Sequence, residues 1–344
     1  MTRQELPPRS TRPHRPHSRP TSAHRPPVHV TANLLGIPFG LGGLAQCWAA
    51  AEAGSAVPRW PVDVLWSVTA AVWLAVTIAY LWNVMNTGRA RTELLDATFA
   101  PFTALLVIIP MILGVAWSGA HETSGRIVFF TGLVLTVMLG GWMTGQWIIS
   151  DLRLVQWHPG YFLPTVAGGF IASTGCATLG HESLARVMFG YGAICWFALG
   201  SIVLARLLVV SSLPPALTPT IAIEVAPPVV AGNAWLEING QHIDTIILCL
   251  AGYALLMVVT QVRLIPVYAR LPFAPGWWAF SFSYAAAVAF SIRLLDLGQP
   301  VHERLLVLSL LGLVTLAVAA LVVRTVGGLV AGTFLPRAAR PAVG

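Results

Sequence analysis

Ten apolar windows, each close to twenty residues long, follow one another along this chain near 32–51, 64–84, 99–117, 127–150, 161–179, 187–205, 216–236, 244–262, 275–292 and 305–323. An α-helix rises about 1.5 Å per residue, so ~20 apolar residues cover the ~30 Å hydrocarbon core of a bilayer. Of the 344 residues only 10% are charged and 56% are apolar, whereas a soluble chain carries about a quarter charged residues. Too little polar side chain is present to clothe a water-facing surface. The pattern predicts an all-α membrane protein of ten transmembrane helices. Short connections make neighbouring helices antiparallel, giving five helical hairpins.

The domain reading follows from where the windows stop. Residues 1–30 are rich in Pro, Arg, Ser and His without apolar periodicity and are expected to be a disordered tail. Residues 31–326 form the ten-helix transport domain, and 327–344 a short C-terminal tail. His14, His17, His24 and His29 read as incidental residues of a solvated tail. Cys47, Cys176, Cys195 and Cys249 all sit in apolar stretches without metal-ligand spacing, so they read as small buried hydrophobes. No metal and no cofactor is expected.

All 20 basic residues are arginine. They are scattered over short loops and the tail, with no basic stripe interleaved with aromatics, so nucleic acid is not an expected partner. With the N-terminus in the cytoplasm, that side receives 15 arginines and the other 5; without the tail the count is 9 against 5. The positive-inside rule therefore places both termini in the cytoplasm of a multi-pass cell-membrane protein.

Proline breaks the symmetry between the windows. Pro38, Pro110, Pro164 and the pair Pro227-Pro228 lie in the first, third, fifth and seventh, and Pro275 opens the ninth; the even windows hold none. Each proline removes a backbone donor and leaves a carbonyl unserved, which in lipid must be covered by protein or water. The odd helices are thus expected to be kinked and inside, around a central pore, with the even helices as an outer ring. The inner spans are free of charged residues except Glu224 in the seventh. An intramembrane carboxylate can carry protons; a solvated mouth residue paired with an arginine is the other reading.

Several stretches resemble the tellurite-resistance/C4-dicarboxylate transporter family, which includes bacterial TehA-type channels and plant slow anion channels. They are Asn33-Leu34-Leu35-Gly36-Ile37-Pro38-Phe39-Gly40, the run from His158 to Gly168, Leu217-Thr218-Pro219-Thr220 with Ala226-Pro227-Pro228-Val229, and Trp278-Ala279-Phe280-Ser281-Phe282. The resemblance implies a homotrimer with one pore per subunit, occluded by a phenylalanine from the ninth span. By motif position the gate is Phe282, and Pro38, Phe39, Gly40, Pro110, Pro164, Pro227, Pro228 and Phe280 are the expected pore-lining or kink residues. Two departures stand out: Ser283 occupies the place of a proline in plant members, and the segment Arg91 to Pro101 lacks the family's His-Pro.

The expected function is transport of small inorganic or organic anions across the lipid bilayer through a phenylalanine-gated pore. The alternative is a proton-coupled transporter of C4-dicarboxylates or of oxyanions such as tellurite or sulfite, with Glu224 taking part; a scaffold subunit without transport is a further possibility. An enzyme is not expected. His181-Glu182 has Ala185 where a zinc-hydrolase helix would place its second histidine, and no catalytic grouping is evident.

Overall fold

The structure, a computed structural model, describes residues 30–88 and 90–335. The expectations for residues 1–29, with their four histidines, and for 336–344 lie outside the described residues. All regular structure among the described residues is helical. The α-helices are α1 (Gly36–Ala53), α2 (Trp60–Thr87), α3 (Ala90–Leu95), α4 (Leu105–Ser118), α5 (Glu122–Ile149) and α6 (Gly168–Thr178). They continue with α7 (Glu182–Val209), α8 (Ala226–Ile238), α9 (Thr245–Tyr268), α10 (Ala279–Gly298) and α11 (Glu303–Val330). The last of these continues past residue 326, and Phe334 beyond it stacks on Phe273.

Two kinds of long helix are distinguished by how they start. Helices α5, α7 and α11 each begin at the glutamate of a His-Glu pair: His121-Glu122, His181-Glu182 and His302-Glu303. The glutamate in the first turn complements the positive end of the helix dipole. His181-Glu182 is thus one of three equivalent helix starts. Helices α1, α4, α6, α8 and α10 instead emerge from tighter 3-10 segments: Ala32–Leu35, Ala100–Ala104, Pro159–Phe162, Thr218–Val225 and Pro275–Trp278. Before α6 a π-helical turn, Leu163–Ala167, intervenes as well.

Prolines account for two of these starts. Pro164 cannot donate to the Gly160 carbonyl, and the Leu163 amide takes that oxygen instead. Pro227 likewise cannot serve the Ile223 carbonyl, and the Ala226 amide does so. In both places an amide three residues on replaces the missing donor four residues on, which is the geometry of a 3-10 turn. The expectation of kinked odd helices is therefore refined: the breaks lie mainly at their opening turns, and only Pro110 interrupts the middle of one, α4. The alternation is also imperfect, because α9 runs beyond its apolar window and holds Pro266 inside.

Among the described residues nine segments are long and apolar enough to cross a membrane. The predicted fifth span is absent from that set, because its α-helical part is only the 11 residues of α6, preceded by the 3-10 and π turns. Helices α1, α4, α6, α8 and α10 pack each against the next, and α10 closes on α1. Helix α2 lies over α1 and α4, α5 over α4 and α6, and α7 over α6 and α8; α9 covers α8 and Thr218–Val225, and α11 covers α10 and α1. Burial follows the same division: 67% of the first segment is buried and 72% of Thr218–Ile238, against 11% of Trp60–Thr87 and 22% of Glu303–Val330.

Close contact between α1 and α10 depends on Gly40, where a Cβ would overlap the Ser281 side chain and meet Trp278 at 3.1 Å. Small residues let membrane helices approach in this way. Gly40→Val is expected to cost about 1–3 kcal/mol through overpacking, read as a lowered Tm in detergent. Gly141→Val, where nothing lies within 4 Å, should leave Tm nearly unchanged.

Candidate transport pathway

All five closed-ring helices start at the same cavity. Its wall includes Gly36 at the start of α1, Phe102 and Leu105 at the start of α4, Phe162, Leu163 and Val166 before α6, Ile223, Ala226 and Pro227 at α8, and Pro275 and Ala279 at α10. The cavity is narrow, about 50 Å³, room for only a few water molecules. No charged side chain lines it, and Asn33 and Ser283 are the amide and hydroxyl side chains in its wall. At the far ends of the same helices opens a wider vestibule of about 1040 Å³, lined by Gln46, Ala49, Ala50 and Ala53 of α1, Ile112 and Val115 of α4, and Asn233 and Glu237 of α8.

Phe282 and Val230 border both cavities. Phe282 lies one turn into α10, and its ring stacks on Phe39 of α1 with centroids 3.6 Å apart and planes 12° from parallel. Each of the two is only 5% exposed. Gly43 of α1 packs under the Phe282 ring, where a Cβ would stand 3.2 Å from it. The backbone that carries Phe282 is anchored from behind: the Trp278 indole donates to Thr325 Oγ1 of α11 at 2.9 Å, and Ser281 Oγ donates to the Trp278 carbonyl at 2.6 Å. Ser283 Oγ donates to the Ala279 carbonyl at 3.0 Å, and α10 stays regular through this turn.

The SLAC1 family profile, described as a voltage-dependent anion channel, matches residues 29–326. The chain belongs to this family. Among curated proteins it is 29% identical to the tellurite resistance protein TehA homolog of Haemophilus influenzae over 272 residues, covering 76% of this chain and 80% of that one. It is 26% identical to the S-type anion channel SLAH3 of Arabidopsis thaliana over 278 residues, covering 78% of this chain and 43% of the plant protein. The chain is a multi-pass membrane protein of a family of anion channels and transporters, and the resemblance to the tellurite-resistance/C4-dicarboxylate transporters holds.

Of the expected SLAC1-family pathway residues, Phe39, Pro227 and Phe282 line the narrow cavity. Gly40 serves the α1–α10 contact, while Pro38, Pro110, Pro164 and Pro228 shape helices without lining either cavity. Phe280 is placed elsewhere: two residues from Phe282 on a helix, it points away and joins Trp277, Tyr284 and Tyr268 in an aromatic cluster. Glu224 is buried, at 6% exposed, with no hydrogen-bond partner for Oε1 and no arginine beside it among the described residues. The solvated, arginine-paired reading therefore does not hold. Glu224 lines neither cavity, whereas its neighbour Ile223 does.

Phe102, Phe162 and Phe170 also line the narrow cavity, and no proline spacing marks them. The signal that could have found them is facial. Phe162, Val166 and Phe170 recur every four residues, and Phe282, Ala286, Ala289 and Arg293 recur every three or four on α10. Arg293 stands one residue beyond the predicted ninth window, where arginines read as loop residues.

The segment before α4 is held although it lacks the family's His-Pro. Asp96 Oδ1 accepts from the Thr98 and Phe99 amides at 2.8 Å each. The Ala97 carbonyl accepts from Tyr161 at 3.0 Å and faces His158 Nε2 at 3.4 Å. His158 Nδ1 accepts from the Gly160 amide at 3.1 Å, so the proton belongs on Nε2. Burial disfavours the charged ring and pushes its pKa down from 6.5 to about 4. Between those values the unfolded chain binds the extra proton, so stability is complete above pH ~6.5 and falls as pH falls towards 4. The loss should reach about 3 kcal/mol at pH 4, from 1.36 kcal/mol per unit. Tm against pH in detergent checks this; His158→Gln should flatten the profile over that window.

Proposed function

We propose that this chain conducts small anions through a pore along the axis of the five-helix ring, with Phe282 stacked on Phe39 as its gate. The observation that carries the reading is that Phe282 borders both the narrow cavity and the vestibule. Ten membrane crossings arranged as five hairpins, with both termini cytoplasmic and three subunits assembled, complete the proposal. The closed packing order of α1, α4, α6, α8 and α10 supports the inner ring. The names of two relatives, an S-type anion channel and a tellurite resistance protein, support the ion class.

The electrostatics favour anions without a buried full charge. The free N-terminal end of a helical segment carries roughly half a positive charge, and the segments that open at Ala32, Ala100 and Pro275 begin within a few residues of the narrow cavity. An uncharged wall attracts an anion through these dipoles yet does not trap it, as conduction requires. Phe282→Ala should raise chloride current in planar bilayers on the order of tenfold or more, the equivalent of about 1.4 kcal/mol off the barrier. Unchanged current in a correctly folded variant would sink the gate assignment.

A second reading is favoured by the unpartnered Glu224 carboxyl, which is buried beside the path. In it the chain couples protons to movement of a C4-dicarboxylate or of an oxyanion such as tellurite or sulfite. A pH gradient should then drive uptake into liposomes, and Glu224→Gln should abolish it. Uptake indifferent to pH and to this substitution leaves the passive pore.

A further inference from the structure

On α10 the residues Phe282, Ala286, Ala289 and Arg293 share one face, and all four line the vestibule. The stripe that begins at the ring of Phe282 thus ends on a guanidinium. Arg293 differs from the other arginines of the vestibule in how firmly it is held. Its side chain is 18% exposed, against 59% for Arg59 and 37% for Arg126. Nη2 donates to Glu237 Oε1 at 2.7 Å and to Gln241 Oε1 at 2.8 Å, and Nη1 donates to the Asn233 carbonyl at 3.2 Å. All three partners come from the end of α8 or the turn after it.

We infer that Arg293 is an anion-binding site of the vestibule and that the Glu237 carboxylate is its built-in competitor, occupying the guanidinium until a permeating anion displaces it. The inference rests on the anion-transport reading and deepens it. A charge-assisted bond to a partly buried guanidinium is strong, and a bare Arg293 would hold an anion too long for conduction. With Glu237 in place, binding becomes an exchange of one anion for another, and only the difference remains. The bond to Glu237 is the part that can yield. Its side chain is 27% exposed at the last turn of α8, and only Oε1 bonds to Arg293. The bonds to Gln241 and the Asn233 carbonyl keep the guanidinium oriented while Glu237 swings aside. The charged side chains lining the vestibule balance, with Arg59, Arg126 and Arg293 against Glu122, Glu237 and Asp296. Removing the Glu237 charge leaves an excess positive charge on the pore stripe.

Two measurements test this separately from the gate. In bromide-soaked crystals, Glu237→Gln should show anomalous density at the Arg293 guanidinium, and both the native chain and Arg293→Gln should lack it at the same bromide concentration. No bromide at Arg293 in the folded Glu237→Gln protein overturns the inference whether or not the channel conducts. In the conducting Phe282→Ala background, Glu237→Gln should lower the half-saturating chloride concentration about tenfold, and Glu237→Asp should keep it near the parent value. An unchanged half-saturating concentration also overturns the inference. Absence of current in Phe282→Ala itself counts against the transport reading and leaves the bromide result to decide on Arg293.

Discussion

A proline nitrogen carries no hydrogen, and in an apolar surrounding the carbonyl it fails to serve has nowhere to turn except to protein. That constraint sorts the helices of this chain. Helices with a proline at or near their start open in tighter turns, where the preceding amide reaches the stranded oxygen, as Leu163 does for Gly160 and Ala226 does for Ile223. Such turns are irregular and are tolerated at membrane depth only where other protein covers them. The five helices that open in 3-10 turns pack into a closed ring, and the other long helices cover its outside. The path at the centre is a consequence: five helix starts, thick with prolines and glycines, leave a narrow cavity where they converge.

The chemistry of that path is set by what it lacks. A full charge in the narrow cavity would be costly to bury and would hold a counter-ion fast. The walls there are apolar, and charged groups are confined to the wider vestibule, where each arginine has a carboxylate partner. Between the two regions stands the Phe39–Phe282 stack. An aromatic pair suits that place, because it fills a space left by the glycines of α1 and exposes no polar group to compete with the ion. Gly40 and Gly43 bring α1 close enough to α10 for the two rings to meet, so helix packing and the Phe39–Phe282 stack share one cause.

Much of this could be read from the chain. The apolar windows and the low charge count point to a membrane protein, and the odd-window prolines mark the helices that pack inside. The Trp278-Ala279-Phe280-Ser281-Phe282 resemblance singles out Phe282, which borders both cavities. What was not legible depends on which way a side chain points and on where a helix ends. Phe280 and Phe282 are alike in sequence, but helical geometry turns them to nearly opposite faces. Pro266 lies beyond the eighth window because α9 continues past its apolar stretch. The fifth window reads as a span of ordinary length, yet Pro159 and Pro164 convert its first half into 3-10 and π turns. Glu224 lies beside the path and not on it, and Arg293 lines the vestibule although it resembles a loop residue. Each depends on tertiary packing, which spacing alone does not encode.

The central claim is that one path runs through the ring and is closed at Phe282, so that its two cavities open to opposite sides. Thiol accessibility tests this most directly, in a background with the four native cysteines replaced. Ala279 lines the narrow cavity and Ala50 the vestibule. A membrane-impermeant thiol reagent should modify Ala279→Cys only from the side of the ring-helix starts, and Ala50→Cys only from the other. Modification of both positions from the same side, with Phe282 intact, would contradict the account.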